Sequence, residues 1–201
     1  MVRLPLARGD NPTPERFADL ERAAIDLAEF VRALQRLDPT GGPPPGEHNF
    51  GRGEPLSRRD DATRRAIASL HDELDVGAVA EAWDAALQAP TWSGPPLWIH
   101  GDLSAGNLLV REGRLAAVID FGCVGVGDPA CDLMIAWTFL VPQARAVFRS
   151  ALAVDGATWA RGRGWALSTA LIALPCYTDT NPVMVRGARH TIAEVLADRA
   201  V

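Results

Sequence analysis

The stretch Trp98–Gly122, WIHGDLSAGNLLVREGRLAAVIDFG, limits the folds open to this chain more than any other. NLLV and RLAAVIDF are apolar runs too short for helices, and REG between them has the composition of a tight turn, so together they predict a β-hairpin. LWIH, after the turn PTWSGPP, reads as another short strand. On either side the apolar period is helical. NPTPERF predicts a helix start with Thr13 as N-cap, Pro14 in the first position and Glu15 in the first turn. Phe17, Leu20, Ala24, Leu27, Val31 and Leu34 continue it as an amphipathic stripe. Residues 38–55 form a long Gly/Pro-rich loop, and the same periodicity predicts helices over about 60–73, 76–88, 130–140, 142–153, 157–174 and 183–198. The fold class expected is α+β, predominantly helical, with one small β-hairpin in the middle and no internal repeat.

Composition narrows the function. At 48% apolar and 22% charged residues the chain packs as an ordinary globular protein, and its 201 residues make one large domain or two small ones. A net charge of −5, with no basic stripe interleaved with aromatics, excludes a nucleic-acid partner. No run of about eighteen apolar residues spans a membrane. The opening residues MVRLPLARGDNPTPERF lack a signal-peptide core, so the expected location is cytoplasmic. Cys123, Cys131 and Cys176 form no metal-ligand pattern, and their odd number predicts buried free thiols. All 20 basic residues are Arg.

The hairpin gathers chemistry. Asp102 follows a strand end, Asn107 opens the next strand, and Asp120 ends the one after, just before Phe-Gly. A hairpin sets the start of its first strand beside the end of its second, so Asn107 and Asp120 are neighbours and Asp102 can lie against both. Three oxygen-bearing side chains on one rim suit a hard cation such as Mg²⁺, which keeps sites for phosphate and water. A carboxylate not used by the metal can take a proton from an attacking hydroxyl.

With these residues in view, HGDLSAGNLLV…VIDFG…GDPACDL resembles the catalytic core of the aminoglycoside phosphotransferase family. The resemblance implies a protein-kinase-like fold and phosphorylation of small-molecule hydroxyls from ATP or GTP with Mg²⁺. It makes Asp102 the catalytic base and Asn107 and Asp120 the metal and nucleotide-cofactor ligands. His100 is expected to be structural, Asp128 to cap a helix near Pro129, and Asp132 to brace the catalytic loop. Ser104 and Ala105 stand where the family often has His-Pro. The resemblance centres on residues 98–140 and extends over 1–201 as a C-terminal catalytic lobe, with 1–13 as an interlobe hinge remnant.

The N-terminal β lobe of that fold, with its phosphate-covering loop and strand-borne Lys, has no counterpart ahead of the first helix. Arg3 and Arg8 are poor substitutes for that Lys. Metal binding is therefore expected to persist, with triphosphate affinity and turnover reduced and the uncovered surface available for homodimerisation.

A cationic hydroxyl acceptor would favour acidic residues near the cleft. Asp155, Asp179 and Glu194 are candidates, with Tyr177 in the loop PCYTDTNPV and His48 and Arg52 in GEHNFGRG. Trp137, Trp159 and Trp165 read as core. A non-catalytic ligand- or partner-binding module is the alternative function. A two-metal phosphoesterase ranks last, because His48, His71, His100 and His190 are scattered.

Overall fold

The computed structural model describes residues 13, 14 and 17–198. Residues 1–12 of the expected hinge, including Arg3 and Arg8, and Glu15 of the expected first turn lie outside the described residues. The elements follow the order α1 (Leu20–Gln35), α2 (Asp60–Ser69), α3 (Val76–Leu87), β1 (Leu97–Ile99), β2 (Leu108–Arg111), β3 (Arg114–Val118), β4 (Gly125–Gly127), α4 (Ile135–Thr138), α5 (Pro142–Leu152), α6 (Gly156–Tyr177) and α7 (Pro182–Ala197).

α6 organises the core. Its 22 residues bury side chains around most of the helix, as expected of one enclosed by others, and α7, α3, α2 and the turn after β4 pack on it. Trp165, Leu167 and Leu171 are fully buried on α6, as are Trp83 on α3 and Phe148 on α5. Trp137 and Trp159 are buried too, so the three tryptophans expected in the core, with Trp83 besides, belong to it. A Cβ on Gly162 would meet the Leu133 Cβ at 2.6 Å, which shows how closely α6 approaches the turn that serves the site. α1 packs along α5, and Phe17 meets Phe139 edge to face at 5.6 Å.

The expected hairpin is present: β2 and β3 pair antiparallel with Leu108 opposite Val118 and Arg111 opposite Arg114, interrupted by an irregularity between Leu109 and Val110. A second antiparallel pair was not anticipated. β1 joins β4, with Leu97 opposite Gly127 and Ile99 opposite Gly125. The 38–55 loop runs beside this pair: the Pro43 carbonyl accepts from Val126 N at 2.9 Å and the Gly53 carbonyl from Asp128 N at 2.9 Å.

Several boundaries differ from expectation. α1 begins at Leu20 under an Asp19 N-cap, whose carboxylate accepts from Arg22 N at 2.9 Å, so Thr13 is not its cap. Pro14 belongs to a separate turn closed by Phe17 N. α2 stops at Ser69, and the helix expected from 130 is a run of tight 3₁₀ turns, 129–134, before the four-residue α4. Residues 175–177 finish α6 instead of opening a loop, leaving 178–181 as the connection to α7. Of the three thiols only Cys131 is buried; Cys123 is half-buried and Cys176 exposed. No helix among the described residues is long and apolar enough to cross a membrane.

Candidate active site

The loop from His100 to Asn107 leaves β1 and enters β2, and its backbone is held from beneath. Asp132, on the turn pressed against α6, is fully buried; its Oδ2 accepts from His100 N and its Oδ1 from Gly101 N, both at 2.8 Å. Burial pushes the Asp132 carboxyl above the usual range, while the two N–H donors and the Arg52 charge pull the other way. Gly101 has φ +80°, and a Cβ there would sit 2.2 Å from the Cys123 carbonyl oxygen. Only glycine fits.

His100 is also fully buried. Its Nδ1 accepts from Asp102 N at 3.3 Å, which assigns the proton to Nε2, donated to the Ile119 carbonyl at 3.0 Å. With both nitrogens engaged, the ring ties the loop to the end of the hairpin.

Asp102 and Asn107 are in direct contact. Asn107 Nδ2 donates to the Asp102 carbonyl at 2.7 Å and to Asp102 Oδ2 at 2.9 Å, which fixes the carboxylate and turns the amide oxygen away. The Asn107 carbonyl accepts from Ile119 N at 2.8 Å, joining the first hairpin strand to the residue before Asp120. Asp120 does not end β3 as expected. It lies beyond Val118 in a left-handed conformation (φ 62°, ψ 74°) and caps the turn 121–123, accepting from Gly122 N at 3.2 Å. Burial raises the Cys123 thiol first, the charges of Asp102 and Asp120 add to it, and Arg52 opposes them.

The donor set fits a magnesium ion. Among the described residues no donor is bonded to Asn107 Oδ1, and one Asp120 carboxylate oxygen is similarly unengaged. No three His, Cys, Asp or Glu side chains among the described residues converge as a metal cage. An amide and one carboxylate supplemented by phosphate oxygens is how Mg²⁺ is commonly held.

Asp128 caps the 129–134 turn, accepting from Ala130 N at 3.0 Å, and pairs with Arg161, which sequence reasoning missed. Two acceptor-side candidates have other roles. Asp155 caps α6 through Thr158 N at 2.6 Å, and Glu194 pairs with Arg145. Asp179, Tyr177 and His48 are exposed. Arg52 reaches the 100–107 loop, its Nε donating to the Gly101 carbonyl at 2.7 Å. Nothing periodic flagged Arg52 or Arg161; the sole hint for Arg52 was its place in a long loop.

The profile of the APH group, described as the phosphotransferase enzyme family, matches residues 1–165. The chain belongs to the phosphotransferase enzyme family. An aminoglycoside 3′-phosphotransferase from Escherichia coli is 30% identical over 127 residues, 63% of this chain and 46% of that protein. The chain thus spans about half the length of the curated relatives it matches. The fold is the kinase-like one of this family. The GDP complex of an aminoglycoside 2′-phosphotransferase, type IIIa, superposes with a TM-score of 0.64 at 17% identity, over 96% of this chain and 69% of that one. A macrolide 2′-phosphotransferase from Brachybacterium faecium gives 0.54 at 22% identity, over 87% and 61%.

Proposed function

We propose that this lobe transfers the γ-phosphoryl group of ATP or GTP to a hydroxyl of a small, cationic molecule of the aminoglycoside kind. The observation that carries the reading is the two-pronged bond from Asn107 Nδ2 to Asp102, which orients a half-exposed carboxylate beside a free amide oxygen. Asp102 would accept the hydroxyl proton as the oxygen attacks. Asn107 Oδ1 and Asp120 would hold Mg²⁺, which supplies charge neutralisation for the phosphates.

Family membership and the nucleotides in solved relatives support the reading: GDP in one, ATP with streptomycin in another. A GDP and kanamycin complex supports an aminoglycoside-like acceptor. Exposed Ile119 and Phe121 beside the acids offer apolar surface for a phosphate-covering lobe or a second copy of this chain. Such chemistry belongs in the cytoplasm, where nucleoside triphosphate is supplied.

The test combines Mg-ATP and Mg-GTP titration with a phosphoryl-transfer assay on kanamycin. Asp102→Ala is expected to abolish transfer while nucleotide binding survives. Transfer retained by Asp102→Ala would overturn the base assignment, and nucleotide binding without transfer by the unaltered chain would favour the non-catalytic module.

A further inference from the structure

The Gly101–Asp102 segment has four backbone polar groups, each with a partner. Gly101 N donates to Asp132, Asp102 N to His100, and Asn107 donates to the Asp102 carbonyl. The Gly101 carbonyl accepts from Arg52 Nε, its one partner among the described residues. Three of the four partners come from sequences the phosphotransferase pattern already contains. The fourth comes from a loop 49 residues away in sequence.

Arg52 is itself held. Its N donates to the Asn49 carbonyl at 3.0 Å, and its carbonyl accepts from Nδ2 of the fully buried Asn49 at 3.1 Å. Its guanidinium lies over the buried Trp165 ring, 5.6 Å from the centroid, with Arg59 over the same ring at 4.6 Å. Two cations on one ring repel: Arg59 is lowered to about 10, by burial first and by Arg52 second. The Arg52 charge also favours the ionised form of the buried Asp132. Arg52 and Asp132 therefore grip opposite ends of one residue, the carbonyl and the amide of a glycine whose φ of +80° no side chain stabilises.

We propose that Arg52 is a positioning residue for Asp102, fixing the Gly101–Asp102 peptide through its bond to the Gly101 carbonyl. The proposal rests on the reading of Asp102 as the base. Without Arg52 that carbonyl loses its partner and the peptide can rotate, carrying the Asp102 carboxylate off line. A misplacement of about 1 Å in such a group costs on the order of 10²-fold in rate.

The test compares Arg52→Ala and Arg52→Lys with the unaltered chain by two independent readouts. Hydrogen exchange at residues 100–107 reports the grip on the loop and needs no activity. For Arg52→Ala it is expected to rise at least about tenfold there, with α6 and α7 unchanged. In the transfer assay kcat is expected to fall by about 10- to 100-fold, with KM for nucleotide and acceptor within about twofold and with recovery in millimolar guanidinium. Arg52→Lys keeps the charge over Trp165 and guards against misfolding. It lacks the fixed Nε direction and is expected to reproduce the exchange increase. Unchanged exchange at 100–107 in the variants, or a kcat loss matched by a rise in KM and insensitive to guanidinium, would overturn the proposal. If exchange rises while Asp102→Ala keeps full activity, the base assignment fails and the grip stands.

Discussion

Replacing Arg161 by Met isolates the ion pair that anchors the 129–134 turn. Arg161 Nε donates to Asp128 Oδ2 at 2.7 Å, and its terminal nitrogens reach Asp128 Oδ1 at 3.2 Å, the Pro90 carbonyl at 2.6 Å and Thr158 Oγ1 at 3.2 Å. The paired side chains are 3% and 2% exposed, so neither charge can turn to water. Removing the cation strands a buried carboxylate whose remaining donor among the described residues is Ala130 N. Breaking such a pair from one side costs about 3–5 kcal/mol. At about 2–4 °C per kcal/mol for a chain of this size, the melting temperature falls by about 6–20 °C. Urea midpoints and thermal melts of Arg161→Met, Asp128→Asn and the double variant complete a cycle. The double variant is expected to be more stable than Arg161→Met, because its neutral Asn can still cap Ala130. A loss under about 1 kcal/mol for Arg161→Met, or a double variant no better than it, would refute the stranded-charge reasoning.

Gly101→Ala forces a Cβ to 2.2 Å from the Cys123 carbonyl and into φ +80°, so it should cost about 2 kcal/mol or more and lower kcat, read by denaturation and the transfer assay. Asn107→Ala removes both the clamp on Asp102 and the amide proposed to hold Mg²⁺; titration is expected to show Mg-dependent nucleotide affinity lower by about 10- to 100-fold. Asp155→Ala should cost about 1 kcal/mol at neutral pH. The Thr158 N–H holds the Asp155 carboxyl below its ordinary 3.8, so its contribution is complete above that value and fades as pH falls through the lower folded value. Urea midpoints of the variant and the unaltered chain should therefore converge in acid.

The helices were legible wherever a strong apolar period met a clear stop. Pro142 opens α5, and Asn181–Pro182 opens α7 close to the expected place. The period also ran through Phe17 and Leu20, which hid the break at Asp19, because Phe17 is buried without being helical. β4 was not legible: two glycines flank a single strand former, Val126, and the segment pairs because bare backbone fits between β1 and the Gly53 region, where a Cβ on Gly127 would lie 2.6 Å from the Gly53 oxygen. The Asp102–Asn107 contact was readable, because the loop feeding the hairpin returns Asp102 to the start of its first strand. Asp120 was expected at a strand end and lies beyond it, in a left-handed turn. Arg52 and Arg161 were not, since contacts spanning 49 and 33 residues depend on how loops and helices pack, and no local pattern encodes that.

Asp120 holds a backbone shape that an L-residue adopts at a cost of roughly 1–2 kcal/mol and glycine adopts freely. Giving up its cap on Gly122 would return only a few tenths of that. A library of variants sorted for heat resistance alone would therefore drift to glycine at position 120, while one sorted for phosphate handling would keep the acid. The residue that survives each sorting reveals which demand wrote this corner of the chain.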